Sequence, residues 1–268
     1  MTAAFSGAPA GSGLAVADLT VSYGGNVAVE GVSFSAPVGL ITGLIGPNGA
    51  GKTTTFNVCS GLLRPAAGSV TLFGTDVTAK NAAVRARLGL GRTFQRMELC
   101  HALTVRENIA LGREALLAGG GVVRQIFATP DQRRTVAEAT DEALESCDLG
   151  RLSDRQVGTL STGQRRLVEL GRVLAGGYRL LLLDEPSSGL DDEETHRFGE
   201  ILKTVVAGRG VGILLVEHDM SLVMDVCQFL YVLDFGRLLF SGTPAETRAS
   251  DLVRRAYLGE IDVVETDA

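Results

Sequence analysis

ITGLIGPNGAGKTTTFNV, residues 41–58, places an apolar strand-like run, a glycine-rich loop and a helix-compatible segment in immediate succession. Residues 46–53 match the pattern G-x-x-x-x-G-K-[S/T], which requires this strand–loop–helix context. Glycines let successive backbone N–H groups surround phosphate oxygens, and the helix N-terminus adds a positive dipole. The pattern predicts a phosphate-binding loop rather than a glycine-rich turn beside a surface lysine, with these nucleotide-binding residues: Gly46, Pro47, Asn48, Gly49, Ala50, Gly51, Lys52, Thr53 and Thr54.

The chemistry of such a loop needs a cation and an activated water. Lys52 is expected to reach the β and γ phosphates, and the hydroxyl of Thr53 is expected to bind Mg²⁺. The apolar run at 180–183 ends in Asp184 and Glu185, so a buried strand would deliver two carboxylates to the sheet edge where α/β proteins bind ligands. Asp184 is placed to interact with the water shell of Mg²⁺, and Glu185 is placed to interact with the attacking water. Without the phosphate loop, this segment would be equally compatible with an ordinary strand-end turn.

The apolar pattern predicts an α/β fold built around this loop. Residues 14–45 contain short β-like runs with a Gly-Gly-Asn turn at 24–26, which predict antiparallel hairpins at the front that lead into a buried strand. Residues 104–147 have helical periodicity, with a capping box at 104–107 and Gly119–Gly121 between two helical segments. From 179 onward, apolar runs alternate with polar helical segments, which is typical of a buried parallel sheet. We therefore predict a nucleotide-binding core with a parallel sheet, an N-terminal antiparallel β subdomain and an inserted helical subdomain.

Length and charge restrict the class of protein. The 268 residues include 25 Lys plus Arg and 31 Asp plus Glu, for a net charge of −6. This balance disfavours a nucleic-acid partner recognised by broad electrostatics. We expect a disordered arm at 1–13, one domain at 14–260 with its helical insert at about 96–165, and an acidic tail at 261–268. The arm has neither a basic start nor an apolar run, so it does not resemble a secretory signal.

A third motif, LSTGQ, occupies residues 160–164 and extends the pattern to one typical of a known family. With the two motifs above, and in the same order, it resembles the ATP-binding subunits of ABC transporters, whose signature is usually written LSGGQ. The resemblance covers about 14–260 and departs at Thr162. Ser161 is a good N-cap for a helix at 162–175, and Gly163 leaves room for a phosphate there. The resemblance implies that the signature acts in trans on the loop of a second subunit, through Ser161, Thr162, Gly163 and Gln164.

The same resemblance implies roles for four more residues. Gln95 matches a glutamine that contacts Mg²⁺ and water and senses the membrane partner, and His218 matches a histidine that contacts the γ-phosphate. Tyr23 lies where the family places an aromatic ring against adenine, although packing within a strand is the competing interpretation. Asp191 belongs to a segment that crosses between subunits in the family. We expect Glu185, His218 and Gln95 to be catalytic, and Thr53, Gln95 and Asp184 to bind the metal.

A finer resemblance points to the ATPases of branched-chain amino-acid importers. ATPases of urea and short-amide importers share much of the pattern, and so do some ATPases of lipopolysaccharide-export systems. Only the conjunction of these short segments carries the resemblance: Gly24-Gly25, Ala28-Val29, Phe56-Asn57, Arg92-Thr93-Phe94-Gln95 and residues 255–260.

The resemblance implies an ATP hydrolase that uses ATP and Mg²⁺ and powers import of branched-chain or other apolar amino acids. Its implied partners are transmembrane permease subunits, a second ATPase subunit in a homodimer or heterodimer, and an extracytoplasmic solute-binding protein. Its implied location is peripheral, at the cytoplasmic face of the cell membrane. A non-transport ABC ATPase is a weaker alternative, because those proteins carry paired cassettes, coiled-coil inserts or basic arms. A stand-alone P-loop kinase would not explain the LSTGQ and histidine motifs.

Overall fold

The computed structural model describes residues 12–93, 98–117 and 129–258. In chain order, its strands are β1 (Gly13–Tyr23), β2 (Asn26–Pro37), β3 (Ile41–Ile45), β4 (Ala67–Leu72), β5 (Thr75–Asp76), β6 (Leu90–Arg92), β7 (Leu180–Asp184), β8 (Gly212–Val216), β9 (Phe229–Asp234) and β10 (Arg237–Gly242). Its α-helices are α1 (Lys52–Ser60), α2 (Ala82–Arg87), α3 (Val105–Leu117), α4 (Pro130–Ser146), α5 (Thr162–Ala175), α6 (Asp192–Arg209), α7 (Met220–Val226), α8 (Pro244–Ala249) and α9 (Asp251–Leu258).

The front of the chain forms an antiparallel sheet in the order β2-β1-β4-β5. β1 and β2 form a hairpin whose register ends at Tyr23 opposite Asn26, with Gly24 and Gly25 in the turn. Both glycines have positive φ, a conformation that their missing Cβ makes easy. The predicted antiparallel front strands are therefore confirmed.

The second sheet has the order β10-β9-β3-β8-β7-β6. All pairs from β9 through β3, β8 and β7 to β6 are parallel, as the apolar runs predict. β10 adds an antiparallel edge because the chain reverses tightly after β9. The sheet places the carboxyl ends of β3, β7 and β8 side by side, and these ends carry the motif residues.

Alternate residues of the central strands belong to two separate cores. Leu180 and Leu182 of β7 join a core with the antiparallel sheet and α1, whereas Leu181 and Leu183 join a core with the helices. Because side chains alternate between the two faces of a strand, a strand buried on both faces must be continuously apolar. The uninterrupted leucine run at 180–183 thus reflects a sheet covered on both sides.

The helical insert consists of α3 and α4 packed against α5. The predicted capping box at its start is present, because the N–H of Thr104 donates to Glu107 Oε2 at 2.7 Å and the N–H of Glu107 donates to Thr104 Oγ1 at 3.2 Å. Gly119–Gly121, predicted to separate the two helices, lies outside the described residues. The boundaries predicted for the insert, the arm and the tail stay predictions. In the described part of the chain, every helix is too short or too polar to cross a membrane.

Candidate nucleotide-binding site

Three parallel strands bring the motif residues to one edge of the sheet. β3 leads into Gly46, β7 ends at Asp184, and β8 leads into Glu217 and His218. Leu44 of β3 and Asp184 of β7 both lie opposite Val216 of β8, so the strands end at the same level. Ligands of open α/β sheets bind at this edge, and the structure brings the predicted phosphate loop and carboxylates together there.

The loop between β3 and α1 requires glycine at both ends. A Cβ on Gly46, whose φ is 149°, would lie 2.1 Å from the carbonyl oxygen of Leu233. A Cβ on Gly51, whose φ is 94°, would lie 2.9 Å from the carbonyl oxygen of Ala28. Gly51 is also the N-cap of α1, and glycine has no side chain to cap the helix. The first N–H groups of α1 therefore remain suited to bind an anion.

Lys52 is folded back onto its own loop. Its side chain is buried, and its ammonium donates hydrogen bonds to the carbonyl oxygens of Gly46 and Pro47, the latter at 2.8 Å. The sequence predicts that this ammonium reaches the β and γ phosphates. The two carbonyl groups hold the ammonium, because a buried charge needs hydrogen-bond partners.

A cavity of about 370 Å³ lies against this loop. Glu185 and the phosphate loop line this cavity together, as the sequence predicts. Tyr23 is not among the wall residues in the described chain; its side chain is half exposed at the end of β1, whereas Val27 and Ala28 of the next strand line the cavity. The lining consists of Val27, Ala28, Asn48, Gly49, Ala50, Gly51, Lys52, Thr53, Thr54, Glu185 and Phe235.

Asp184 lies beside this cavity in an almost fully buried position. Burial raises the pKa of its carboxyl above the ordinary value, and the neighbouring charges of Glu185 and Glu217 add to the rise, while those of Arg92 and Lys52 oppose it. Arg92 forms the ion pair, with 3.5 Å between its guanidinium and Asp184 Oδ2. An arginine thus holds the carboxylate that the sequence assigns to Mg²⁺.

Arg92 also contacts α1 at three residues. Its guanidinium donates to Asn57 Oδ1 at 2.9 Å and to Ser60 Oγ at 2.7 Å, and it lies 4.7 Å from the ring centre of Phe56. Phe56, Asn57 and Arg92 are all part of the pattern that resembles amino-acid importers, and the structure places them in one cluster. Gln95, three residues after Arg92, lies outside the described residues.

The oxygen ligands at this edge fit a magnesium ion. Mg²⁺ prefers oxygen ligands and usually binds through one or two carboxylates together with phosphate oxygens and water. Thr53 is exposed at the first turn of α1, and the carboxylate of Asp184 lies at the end of β7. A hydroxyl, a carboxylate and the phosphates of a bound nucleotide form a suitable donor set.

His218 follows β8 and exposes its imidazole, with a side-chain exposure of 63%. The preceding residue, Glu217, is fully buried and accepts hydrogen bonds from Ser187 and from the backbone N–H of His218. These contacts connect the loop after β7 with the loop after β8. Neither Glu217 nor Ser187 has a role in the sequence prediction.

The LSTGQ motif forms the N-terminus of α5, as predicted. Ser161 accepts a hydrogen bond from the N–H of Gln164 at 3.2 Å, and the Gln164 side chain accepts one from the N–H of Ser161 at 3.1 Å. A Cβ on Gly163 would lie 2.5 Å from the carboxyl group of Glu194, whose Oε1 accepts a hydrogen bond from Ser161 Oγ at 3.3 Å. A larger residue at position 163 would therefore have to displace the flexible carboxyl end of Glu194. Asp191 caps α6, accepting a hydrogen bond from the N–H of Glu194 at 2.8 Å.

Three residues at the site were missed by sequence reasoning. The sequence marks Arg92 only as part of a family pattern, although an arginine near a predicted acidic strand end is a usable signal for an ion pair. The sequence pattern assigns no role to Glu217. Phe235 lines the cavity with its side chain 91% exposed and its φ at 43°, which is unusual for an aromatic residue. Its sequence neighbourhood offered only a Phe-Gly turn.

The family model described as ABC transporter matches residues 29–188. Among curated proteins, the chain is similar to the high-affinity branched-chain amino acid transport ATP-binding proteins LivG of Salmonella typhimurium, at 39% identity, and BraF of Pseudomonas aeruginosa, at 37%. Each alignment covers 92% of this chain and 98% of the relative. The lipopolysaccharide export system ATP-binding protein LptB of Haemophilus influenzae is 35% identical over 92% of this chain and 97% of its own.

Among solved structures, the ADP conformation of MJ1267, an ATP-binding cassette of an ABC transporter, superposes with a TM-score of 0.81. It is 31% identical, and the match covers 92% of this chain and 98% of that one. The family model spans more than half of the chain, and relatives above 30% identity align with nearly all of it. The chain therefore belongs to the ABC transporter family, as one of its ATP-binding subunits.

Proposed function

We propose that this chain hydrolyses ATP to power a transporter that imports branched-chain or other apolar amino acids. ATP hydrolysis belongs to the family, and the resemblance inferred from the motifs is confirmed. The observation that carries the local assignment is that one cavity is lined by the phosphate loop, by Lys52 and by Glu185 together. Phosphoryl transfer to water depends on positioning and charge neutralisation more than on covalent chemistry, which is what these groups provide.

Each residue of the site has a proposed task. Lys52 leaves its loop carbonyl groups to bind the β and γ phosphates, while the N–H groups of the loop and of α1 hold the phosphate oxygens. Glu185 accepts the proton of the attacking water, and His218 contacts the γ-phosphate. Tyr23 packs against adenine from its position at the end of β1.

Magnesium would neutralise phosphate charge and polarise the γ-phosphoryl group. Thr53, Asp184 and Gln95 would hold it. Arg92 keeps the buried carboxylate of Asp184 paired and ready as a ligand, since a buried charge left unpaired is costly. Gln95 would also report the state of the membrane partner.

A second ATPase subunit would supply what the cavity lacks, and the family resemblance adds two further partners. In the described chain, no residue of α5 lines the cavity, so we propose that Ser161, Thr162, Gly163 and Gln164 complete the site of a second subunit. Asp191 would approach the same subunit interface. The pair of ATPases, homodimeric or heterodimeric, would dock on permease subunits at the cytoplasmic face of the membrane and work with an extracytoplasmic solute-binding protein.

The choice of solute rests on relatives rather than on the ATP site. LivG and BraF are described as branched-chain amino acid transport proteins, and the cluster of Arg92 with Phe56 and Asn57 supports the finer resemblance. LptB is less similar, at 35% identity.

The test is uptake by cells that lack the gene. Uptake of labelled leucine, isoleucine and valine should fall, and the wild-type gene should restore it, whereas a Lys52→Ala gene should not. Labelled urea and short amides serve as parallel substrates. Normal amino-acid uptake combined with lost urea or amide uptake would replace the amino-acid importer with the urea or short-amide alternative.

A further inference from the structure

The carboxylate of Glu217 joins two loops of the site. Glu217 is fully buried directly after β8. Its Oε1 accepts hydrogen bonds from the N–H of Ser187 at 2.8 Å and from the Ser187 hydroxyl at 2.6 Å. Its Oε2 accepts hydrogen bonds from the N–H of His218 at 3.0 Å and of Asp219 at 3.4 Å. Each carboxylate oxygen thus holds one loop.

The first of these loops carries Glu185. Ser187 lies two residues after Glu185, whose φ of 46° is uncommon for a residue with a side chain. Such a conformation persists only where the surroundings enforce it. The N–H of Glu185 donates to the carbonyl oxygen of Val216 at 2.8 Å, and Glu217 holds Ser187 from the same strand end. The strand end at 216–217 therefore fixes this turn at two points.

The second loop carries His218. Its imidazole is exposed, so few contacts restrain the ring itself. The hydrogen bond from the backbone N–H of His218 to Glu217 Oε2 instead restrains the backbone from which the side chain extends. His218 Nδ1 lies 3.7 Å from the same oxygen. A shift of the Glu217 carboxylate would therefore move the backbone of His218 and the turn that carries Glu185 together.

A packing role alone would not call for a carboxylate. Burying a charge costs free energy unless it is well hydrogen-bonded, and here the carboxylate of Glu217 also contributes to the raised pKa of the neighbouring Asp184. The four donors from two loops compensate for that cost. A neutral side chain of the same size would fill the space but could not accept hydrogen bonds on both sides.

We propose that Glu217 is a positioning residue that fixes the Glu185 turn and the His218 loop relative to each other. Glu217 does not line the cavity in the described chain, so it acts through these two residues. The inference rests on the proposed roles of Glu185 and His218 in ATP hydrolysis. It predicts a loss in turnover without a matching loss in nucleotide affinity.

The first experiment compares Glu217→Gln with Glu138→Gln in the purified full chain. A glutamine oxygen can serve one loop, but its amide nitrogen cannot accept from the other. We expect kcat for ATP to fall between about tenfold and 100-fold, because small misplacements of catalytic groups cost this much. KM for ATP and the affinity for ADP should stay within about twofold, the sign that an interaction needed only in the transition state was lost. Glu138 is an exposed glutamate on α4, so its variant should behave as wild type.

A second variant keeps the test valid if Glu217→Gln fails to fold. Ser187→Ala removes one hydroxyl and leaves the other three hydrogen bonds of Glu217 in place, so kcat should fall by roughly threefold with unchanged ADP affinity. The Glu217→Gln effect should also shrink in a His218→Ala background, since residues that act as a unit are not additive.

Wild-type kcat in both Glu217→Gln and Ser187→Ala would overturn the inference, as would a loss of ADP affinity in proportion to kcat. Independent, multiplying effects of Glu217→Gln and His218→Ala would also overturn it. By contrast, full activity in Glu185→Gln and His218→Ala would overturn the proposed roles of those two residues.

Discussion

At the scale of single residues, charged groups at the sheet edge are held by partners within the chain. Lys52 is bound by the carbonyl groups of Gly46 and Pro47, and Asp184 is bound by Arg92. These contacts satisfy buried charges that would otherwise destabilise the fold. A nucleotide that binds Lys52 as proposed would compete with these hydrogen bonds for its ammonium.

Lys52→Ala tests this arrangement. Hydrolysis should be lost and nucleotide binding strongly weakened, because the cation for the β and γ phosphates is gone. The ligand-free protein should also lose about 1–2 kcal/mol of unfolding free energy, since two carbonyl groups lose their donor. Chemical denaturation measures the second effect, with Lys80→Ala, at an exposed position, as the control. Wild-type ATPase activity in Lys52→Ala would contradict the assignment of the loop.

Glu185→Gln tests the general base. The amide keeps the shape of the side chain but cannot take the proton of water, so kcat should fall by about 10²- to 10⁴-fold while ATP still binds. Trapped ATP should hold two subunits together, which size-exclusion chromatography with ATP would detect as a dimer. The chain with the intact carboxylate should show less dimer under the same conditions. If no dimer forms with ATP, even after a partner ATPase is added, the base assignment or the dimer model is wrong.

At the scale of elements, α1 shows how one short helix is adapted to a ligand at its start and stabilised at its end. Gly51 leaves the N-terminal N–H groups without a side-chain cap, whereas Arg85 of α2 donates to the last-turn carbonyl groups of Val58 at 2.6 Å and Cys59 at 2.8 Å. The same guanidinium donates to Val77 at 2.7 Å. A cation at a helix C-terminus is favourable for the helix dipole. Arg85 thus anchors the phosphate-loop helix to the antiparallel sheet side of the molecule.

Arg85→Leu should lower the unfolding free energy by at least about 3 kcal/mol, because several buried carbonyl groups lose a charged donor. Arg87→Leu on the same helix is the matched control, since Arg87 is exposed and should change stability by no more than about 0.5 kcal/mol. The midpoint of denaturant unfolding separates the two. Equal stability of both variants would show that Arg85 does not anchor α1.

At the scale of the whole molecule, the phosphate loop and the LSTGQ motif lie in different parts of one chain. The cavity contains the phosphate loop and Glu185, while the LSTGQ motif caps a helix elsewhere in the described chain. In the proposed arrangement, two complete sites form when two chains face each other, each presenting its signature to the loop of the other. This arrangement would also let nucleotide binding bring the subunits together.

Complementation between two inactive chains tests the arrangement if the ATPase is a homodimer. Lys52→Ala destroys the loop and Gly163→Asp destroys the signature by placing a carboxylate beside Glu194. Mixed dimers contain one intact site, so part of the activity should return on mixing, while each variant alone stays inactive. Thermal unfolding of each variant confirms that it is folded. Full hydrolysis by a protein that sedimentation shows to be monomeric would exclude sites shared between subunits.

Much of the architecture was predictable because strong local patterns agree with the tertiary structure. The apolar run at 180–183 became β7, the capping box at 104–107 began α3, and the helix predicted at 162–175 is α5. The antiparallel edge strand β10 was not predicted, because a short half-buried strand has no distinctive periodicity. Positions in the motifs were predictable for the same reason, since the phosphate loop depends on local backbone geometry.

By itself, the sequence determined the phosphate loop, the acidic strand end and the signature helix, because each is a local pattern whose chemistry follows from adjacent residues. Only the tertiary structure decided which distant groups meet: Arg92 with Asp184, and Ser187 with Glu217. Neighbouring parallel strands end at the same level, and that geometry joins residues that are far apart in the chain. Long-range electrostatics and hydrogen bonding then select the partners, and no local pattern records that selection.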